Sequence, residues 1–228
     1  MKNEDFVTLG EAVNANDLAT VDRLLRQNPA FAAENDESGV SLLLSALYRG
    51  HADVAARIAE ARDALDIFEA AAIGQLQTVR NLFQNDAEVL NGYSADGFTP
   101  LHLAVFFGRI EVARYILAHG GDVEASARND SRVRPLHSAA ATRDERMVRV
   151  MLSAGANPDA KQTGGHTALH SAAIHGNVPM TIALLASGAD PAIQNDEGKS
   201  AIDLTPRENQ VAIKSILNTW TAMRTDST

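Results

Sequence analysis

Apolar residues recur along this chain in short runs at helical spacing, each closed by a glycine and followed by polar, turn-forming residues. Val112, Ile116 and Leu117 make one such run. The pattern then repeats. Thr99-Pro-Leu-His-Leu-Ala104, Arg134-Pro-Leu-His-Ser-Ala139 and Thr167-Ala-Leu-His-Ser-Ala172 align one under another. Thirteen residues after each alanine stands a leucine (Leu117, Leu152, Leu185), and three further on a glycine (Gly120, Gly155, Gly188). Gly121-Asp122-Val123, Ala156-Asn157-Pro158 and Ala189-Asp190-Pro191 follow. Self-similarity at this period marks a repeat architecture.

Weaker copies extend the series both ways: Leu9-Gly-Glu-Ala12, Ser41-Leu-Leu-Leu-Ser-Ala46, Ile67-Phe-Glu-Ala70 and Ser200-Ala-Ile-Asp-Leu-Thr205. The anchors therefore fall at 12, 46, 70, 104, 139, 172 and 205, at intervals of 34, 24, 34, 35, 33 and 33. A Thr or Ser at the N-cap, as at Thr99, Thr167, Ser41 and Ser200, caps orphan backbone donors. Pro100 and Pro135 fit the first helical position, where no N–H is needed. The glycine closing the first helix supplies a left-handed cap, and the small alanines let neighbouring helices approach. Each unit reads as helix, turn, helix, loop, so the fold class is all-α.

Thr-Pro-Leu-His-x-Ala, the glycine at the helix end and Gly-Ala-Asp/Asn together resemble the ankyrin-repeat family, over residues 6–220 or so. The resemblance implies a solenoid of helix–turn–helix units with projecting hairpin loops. It has about six repeats and a C-terminal cap in a single domain over residues 1–228, and residues 221–228 are expected to form a disordered tail. First helices would line a concave groove. The departures carry information. The interval of 24 between Ala46 and Ala70 predicts a lost projecting loop between Glu60 and Ile67, and the interval of 35 predicts a longer loop around Ser126–Arg134. Arg134 replaces a capping hydroxyl, a local cost of about 1 kcal/mol.

Chemistry changes this picture little. Without cysteine there is no disulfide framework, thiolate nucleophile or cysteine-ligated zinc. His102, His137 and His170 recur at one position, but units stacked roughly 10 Å apart cannot bring equivalent rings onto one zinc. In ankyrin-like units this histidine bonds backbone groups instead. Gly164-Gly165 lacks the Lys-Ser/Thr of a phosphate cradle, and no Gly-x-Ser-x-Gly elbow occurs. No catalytic residue, cofactor or metal is expected. No apolar run approaches the roughly 20 residues of a membrane span. The first residues lack a secretory pattern, so a cytoplasmic setting is expected. A net charge of −9 disfavours a nucleic-acid partner. Against that balance, Arg128, Arg132, Arg134, Arg143, Arg146 and Arg149 face only Asp130, Asp144 and Glu145 locally. That stretch is either solvated and self-paired or, at Arg128, Arg132 and Arg134, a dock for an acidic surface.

The resemblance also places the two residues following each anchor and its neighbour on the groove side of the first helix. Here they are Asn14 and Ala15, Tyr48 and Arg49, Ala72 and Ile73, Phe106 and Phe107, Ala141 and Thr142, and Ile174 and His175. Adjacent phenylalanines at solvent-facing positions suggest a contact surface, and the loop residues Val40 and Phe98 are expected to add to it. The candidate partner-binding set is Tyr48, Arg49, Ile73, Phe98, Phe106, Phe107, Ile174 and His175. The alternative is that Phe106 or Phe107 is core. The function this supports is a non-catalytic protein–protein interaction module. A regulatory or inhibitory subunit covering an enzyme or effector is the alternative, and a small enzyme the third reading.

Overall fold

The computed structural model describes residues 4–206 and 210–225. Among them are thirteen α-helices and no strand, only isolated antiparallel bridges at Asn35–Ser41 and Gln194–Ser200. Contacts between Cα atoms group the chain into Met1–Pro100 and Leu101–Thr228.

Met1–Pro100 holds α1 (Glu4–Asn14), α2 (Leu18–Gln27), α3 (Leu42–Tyr48), α4 (Ala52–Glu60), α5 (Ile67–Ile73) and α6 (Leu76–Asn85). First helices pack on first helices, α1 on α3 and α3 on α5, while α2 packs on α4. In Leu101–Thr228, α7 (Pro100–Phe106, starting at the boundary) and α8 (Ile110–Ala118) form one pair. They are followed by α9 (Pro135–Ala141), α10 (Glu145–Ser153), α11 (Ala168–Ile174), α12 (Val178–Ala186) and α13 (Gln210–Thr225). Here α9 packs on α11, α10 on α12 and α12 on α13. The helices are short, and isolated helices of such length are marginal in water. Packing holds them: Val21, Leu24 and Leu25 on α2, Val112, Ala113 and Ile116 on α8, and Met147, Val148 and Met151 on α10 are all buried.

Six anchor alanines do one job. The carbonyls of Ala12, Ala46, Ala70, Ala104, Ala139 and Ala172 accept the N–H of Asp17, His51, Gln75, Arg109, Asp144 and Asn177 at 2.7–3.3 Å. This closes each first helix by the 6→1 bond of a Schellman turn. The residue four beyond each anchor has positive φ: Asn16 (57°), Gly50 (77°), Gly74 (89°), Gly108 (70°), Arg143 (61°) and Gly176 (61°). Asn tolerates this conformation, but in an arginine it brings Cβ too close to the following carbonyl oxygen, at a cost of roughly 1 kcal/mol.

The loop lengths follow the repeat intervals. Only residues 61–66 separate α4 from α5, whereas residues 119–134 separate α8 from α9. The projecting loop is absent at the first place, as the short interval predicts. Elsewhere a backbone bond closes each hairpin around residues 37–39, 95–97, 163–165 or 196–198, through Asp36, Ser94, Gln162 and Asn195. In the long loop Ala127 N–H donates to Val133 at 2.8 Å and encloses residues 128–132, which accounts for the two-residue surplus.

Three expectations are corrected. Ala201–Leu204 form a turn rather than a first helix, and α13 follows. That helix continues through Thr225, into the stretch expected to be a disordered tail, while residues 226–228 lie outside the described residues. Val40 is buried at 9% exposure rather than presented by its loop, and Ser45 Oγ on α3 donates to Asp36 Oδ2 of the same hairpin at 2.9 Å.

Candidate functional site

The C-terminal ends of the first helices carry the predicted residues except Phe98, which closes the hairpin ahead of α7. In Leu101–Thr228, Phe106 is 43% and Ile174 40% exposed at equivalent places on their helices, with exposed Ala141 at the same place on α9. Phe107 is half-buried and meets Phe106 edge-on, with centroids 5.1 Å apart and planes at 87°. His175, half-buried, is the C-cap of α11. Partial burial and the nearby Arg143 guanidinium hold its imidazole below the usual range.

In Met1–Pro100 the picture is less uniform. Tyr48 is 37% exposed and Arg49 exposed, whereas Ile73 and Phe98 are half-buried. Tyr48 has a structural duty that its position in the repeat conceals. Its hydroxyl donates to Asp96 Oδ2 at 2.7 Å, tying α3 to the hairpin ahead of α7. Burial of the phenol and the Asp96 carboxylate raise its pKa. Ser94 Oγ accepts the Phe98 N–H at 3.1 Å within the same hairpin. Ala72, expected to face outward, is fully buried. One residue fewer separates its helix cap, Asp66, from the anchor Ala70 than separates Ser41 from Ala46.

The arginine stretch divides. Arg134 turns back to Glu124, its Nε 3.2 Å from the Glu124 carbonyl and 3.5 Å from Oε2. It is thus occupied within the chain. Its own N–H is accepted by His137 Nδ1 at 3.0 Å, the same bond that His170 makes with Thr167. Arg128 and Arg132 are exposed, and Arg132 sits at φ 49° where the other hairpins place glycine.

The three repeating histidines are buried. His137 Nε2 donates to Ala160 at 2.9 Å; His170 takes the Thr167 N–H on Nδ1 at 3.1 Å and donates from Nε2 to Lys199 at 3.1 Å. His102 Nε2 donates to Val133 at 3.1 Å. Each ring pins a helix start to the following loop in the neutral form. Burial lowers all three pKa values, that of His102 to about 4.

Sequence reasoning missed a buried ion pair. Glu69, wholly buried, accepts the Asp66 N–H at 3.2 Å on Oε2 and lies 2.7 Å from Arg62 Nη1 on Oε1. Arg62 also donates to the Ala32 carbonyl at 3.2 Å. Burial pushes the Glu69 carboxyl up and Asp66 adds to it, while Ser41 and Arg62 pull the other way. Asp66-Ile-Phe-Glu69 is a capping-box pattern, the signal by which half of this arrangement was legible. No group of three or more His, Asp or Glu suited to a metal ion occurs among the described residues. No helix among them is long and apolar enough to cross a membrane.

A family model described as ankyrin repeats in three copies matches residues 67–162 and 124–195. The match spans more than half of the chain, and the protein belongs to the ankyrin-repeat family. Its relatives include human BCL-6 corepressor-like protein 1, 32% identical over 100 residues, 44% of this chain and 6% of that protein. The B-cell lymphoma 3 protein homolog of Mus musculus is 41% identical over 76 residues, 32% of this chain and 17% of that protein. Ankyrin repeat domain-containing protein 49 of Bos taurus is 41% identical over 56 residues, 25% of this chain and 24% of that protein. The chain thus spans less than a quarter of the length of these relatives. Ankyrin repeats are in general protein–protein interaction modules and typically non-catalytic.

Proposed function

We propose that the chain, residues 1–228, serves as a non-catalytic protein-binding module in a cytoplasmic setting. Its contact surface in Leu101–Thr228 is centred on Phe106 and Phe107, and includes Ile174 and His175 at the equivalent places two repeats further on. Tyr48, Arg49, Ile73 and Phe98 offer a second patch within Met1–Pro100. Arg128 and Arg132 favour an acidic neighbour. The observation that carries the reading is the exposure of Phe106 and Ile174 at the same place in their repeats, where the anchors beside them are fully buried. Large apolar side chains left in water at one register are what a desolvated contact uses.

Affinity capture from the native host followed by mass spectrometry identifies the partner, whose binding is then measured against Phe106→Ala with Phe107→Ala. The double variant should lose about 2 kcal/mol or more of binding, as aromatic hot spots do, with its melting temperature kept. Ile182→Ala, on the exposed side of α12, should change little. Unchanged binding, or a variant that melts well below the parent, would make these phenylalanines core.

A further inference from the structure

Second helices of successive repeats leave a furrow between them, and two such furrows differ in chemistry. Between α2 and α4 a furrow of about 670 Å³ runs over Leu18, Ala19 and Ala56. Its two arginines are engaged: Arg57 Nε lies 2.6 Å from Asp22 Oδ1 and Arg26 Nη2 lies 2.8 Å from Asp22 Oδ2. Asp53 and Glu60 make the rest of that lining acidic. Between α8 and α10 a furrow of about 620 Å³ has Ile110, Leu117 and Val150 along it, flanked by Arg114, Arg146 and Arg149, and no carboxylate lines it. Arg149 pairs with Glu145 at 2.8 Å along its own helix. Arg114 and Arg146 are exposed, and neither forms an ion pair or side-chain hydrogen bond among the described residues.

The two furrows share their place between second helices but not their charge. Ile110, Arg114 and Leu117 stand at i, i+4 and i+7 on α8, and Arg146, Arg149 and Val150 at i, i+3 and i+4 on α10. Each helix therefore turns one continuous stripe inward. An apolar strip with guanidinium groups on both sides complements an amphipathic helix whose apolar stripe is edged by carboxylates. No aromatic side chain lines the furrow to stack on a base, which disfavours single-stranded nucleic acid.

We infer that the furrow between α8 and α10 docks an acidic amphipathic helix of a partner protein, separately from the first-helix surface proposed above. The probe is a fluorescein-labelled synthetic peptide of roughly 16 residues, about four helical turns, with leucines at i, i+3/i+4, i+7 and glutamates on both sides. Titrated with the full chain, it should show saturable fluorescence anisotropy. Arg114→Glu with Arg146→Glu should weaken it at least about tenfold, as expected when charge complementarity is reversed. Arg114→Gln with Arg146→Gln should weaken it less, and this pair replaces the first if the reversal lowers the melting temperature. Peptides with lysine for glutamate, or serine for leucine, should not bind, and Phe106→Ala should leave binding unchanged. The inference fails if the peptide does not bind, if neither arginine pair weakens it, or if the serine peptide binds equally. It fails too if Phe106→Ala abolishes binding, or if phosphatidylserine vesicles or a DNA duplex displace the peptide.

Discussion

In Leu101–Thr228 the third residue of a first helix is a histidine three times over, His102, His137 and His170; in Met1–Pro100 the same place holds Leu44 and Glu69. Each histidine reaches forward to a carbonyl of the next projecting loop. Leu44 belongs to the repeat that no such loop follows, and it is simply buried. Glu69 caps its own helix and turns to Arg62, which reaches on to Ala32. One repeat position thus serves three kinds of docking, set by what lies within reach of it. Charge follows the same division. Residues 1–100 contain 7 Lys and Arg against 16 Asp and Glu, and residues 101–228 contain 13 against 13, so the whole net charge of −9 lies in the first hundred residues. An ion pair serves the acidic part and neutral rings the balanced one.

The largest effect should come from breaking the ion pair. Glu69→Ala leaves the Arg62 guanidinium, 11% exposed, without its carboxylate, and should cost about 3–5 kcal/mol by urea denaturation. A cost below about 1 kcal/mol would make the pair incidental. Acid should then separate the two parts. The histidines have folded pKa values below the unfolded one, so their contribution is complete above about pH 6.5 and is lost as pH falls through the folded value, about 4 for His102. For His102 alone the loss is on the order of 3 kcal/mol. Glu69 has the opposite sign, since its raised pKa favours the folded state at low pH. Hydrogen exchange at pH 7 and pH 4.5 should therefore show α9 and α11 losing protection before α5; equal loss would remove the distinction.

Smaller changes sharpen it. His137→Ala removes a buried and a part-buried hydrogen bond and should cost about 1–3 kcal/mol, read from the denaturation midpoint, with the acid sensitivity below about pH 6.5 reduced. Arg143→Gly relieves the positive φ of 61° and should stabilise by about 1 kcal/mol. The same change at Gly176 in reverse, Gly176→Arg, should destabilise by a similar amount, about 1 kcal/mol. If Arg143→Gly gives no gain in melting temperature, the arginine makes contacts that offset its strain.

What the sequence by itself determined was whatever depends on residues a few positions apart. The six anchors, the left-handed glycines after four of them, the lost loop at 61–66 and the two-residue surplus at 128–132 are all local. Caps and tight turns are closed by backbone bonds over three to six residues, so their residue types and spacing carry the signal. Tertiary structure decided the rest. Ala72 and Val40 are buried because of what packs over them, and Tyr48 is held by an aspartate 48 residues away. Arg62 meets Glu69 and Ala32 only once the helices are docked, and Arg114 and Arg146 share a furrow only because α8 and α10 lie side by side. Burial and pairing are properties of surfaces that meet from distant parts of the chain, and no local spacing records which surfaces those are.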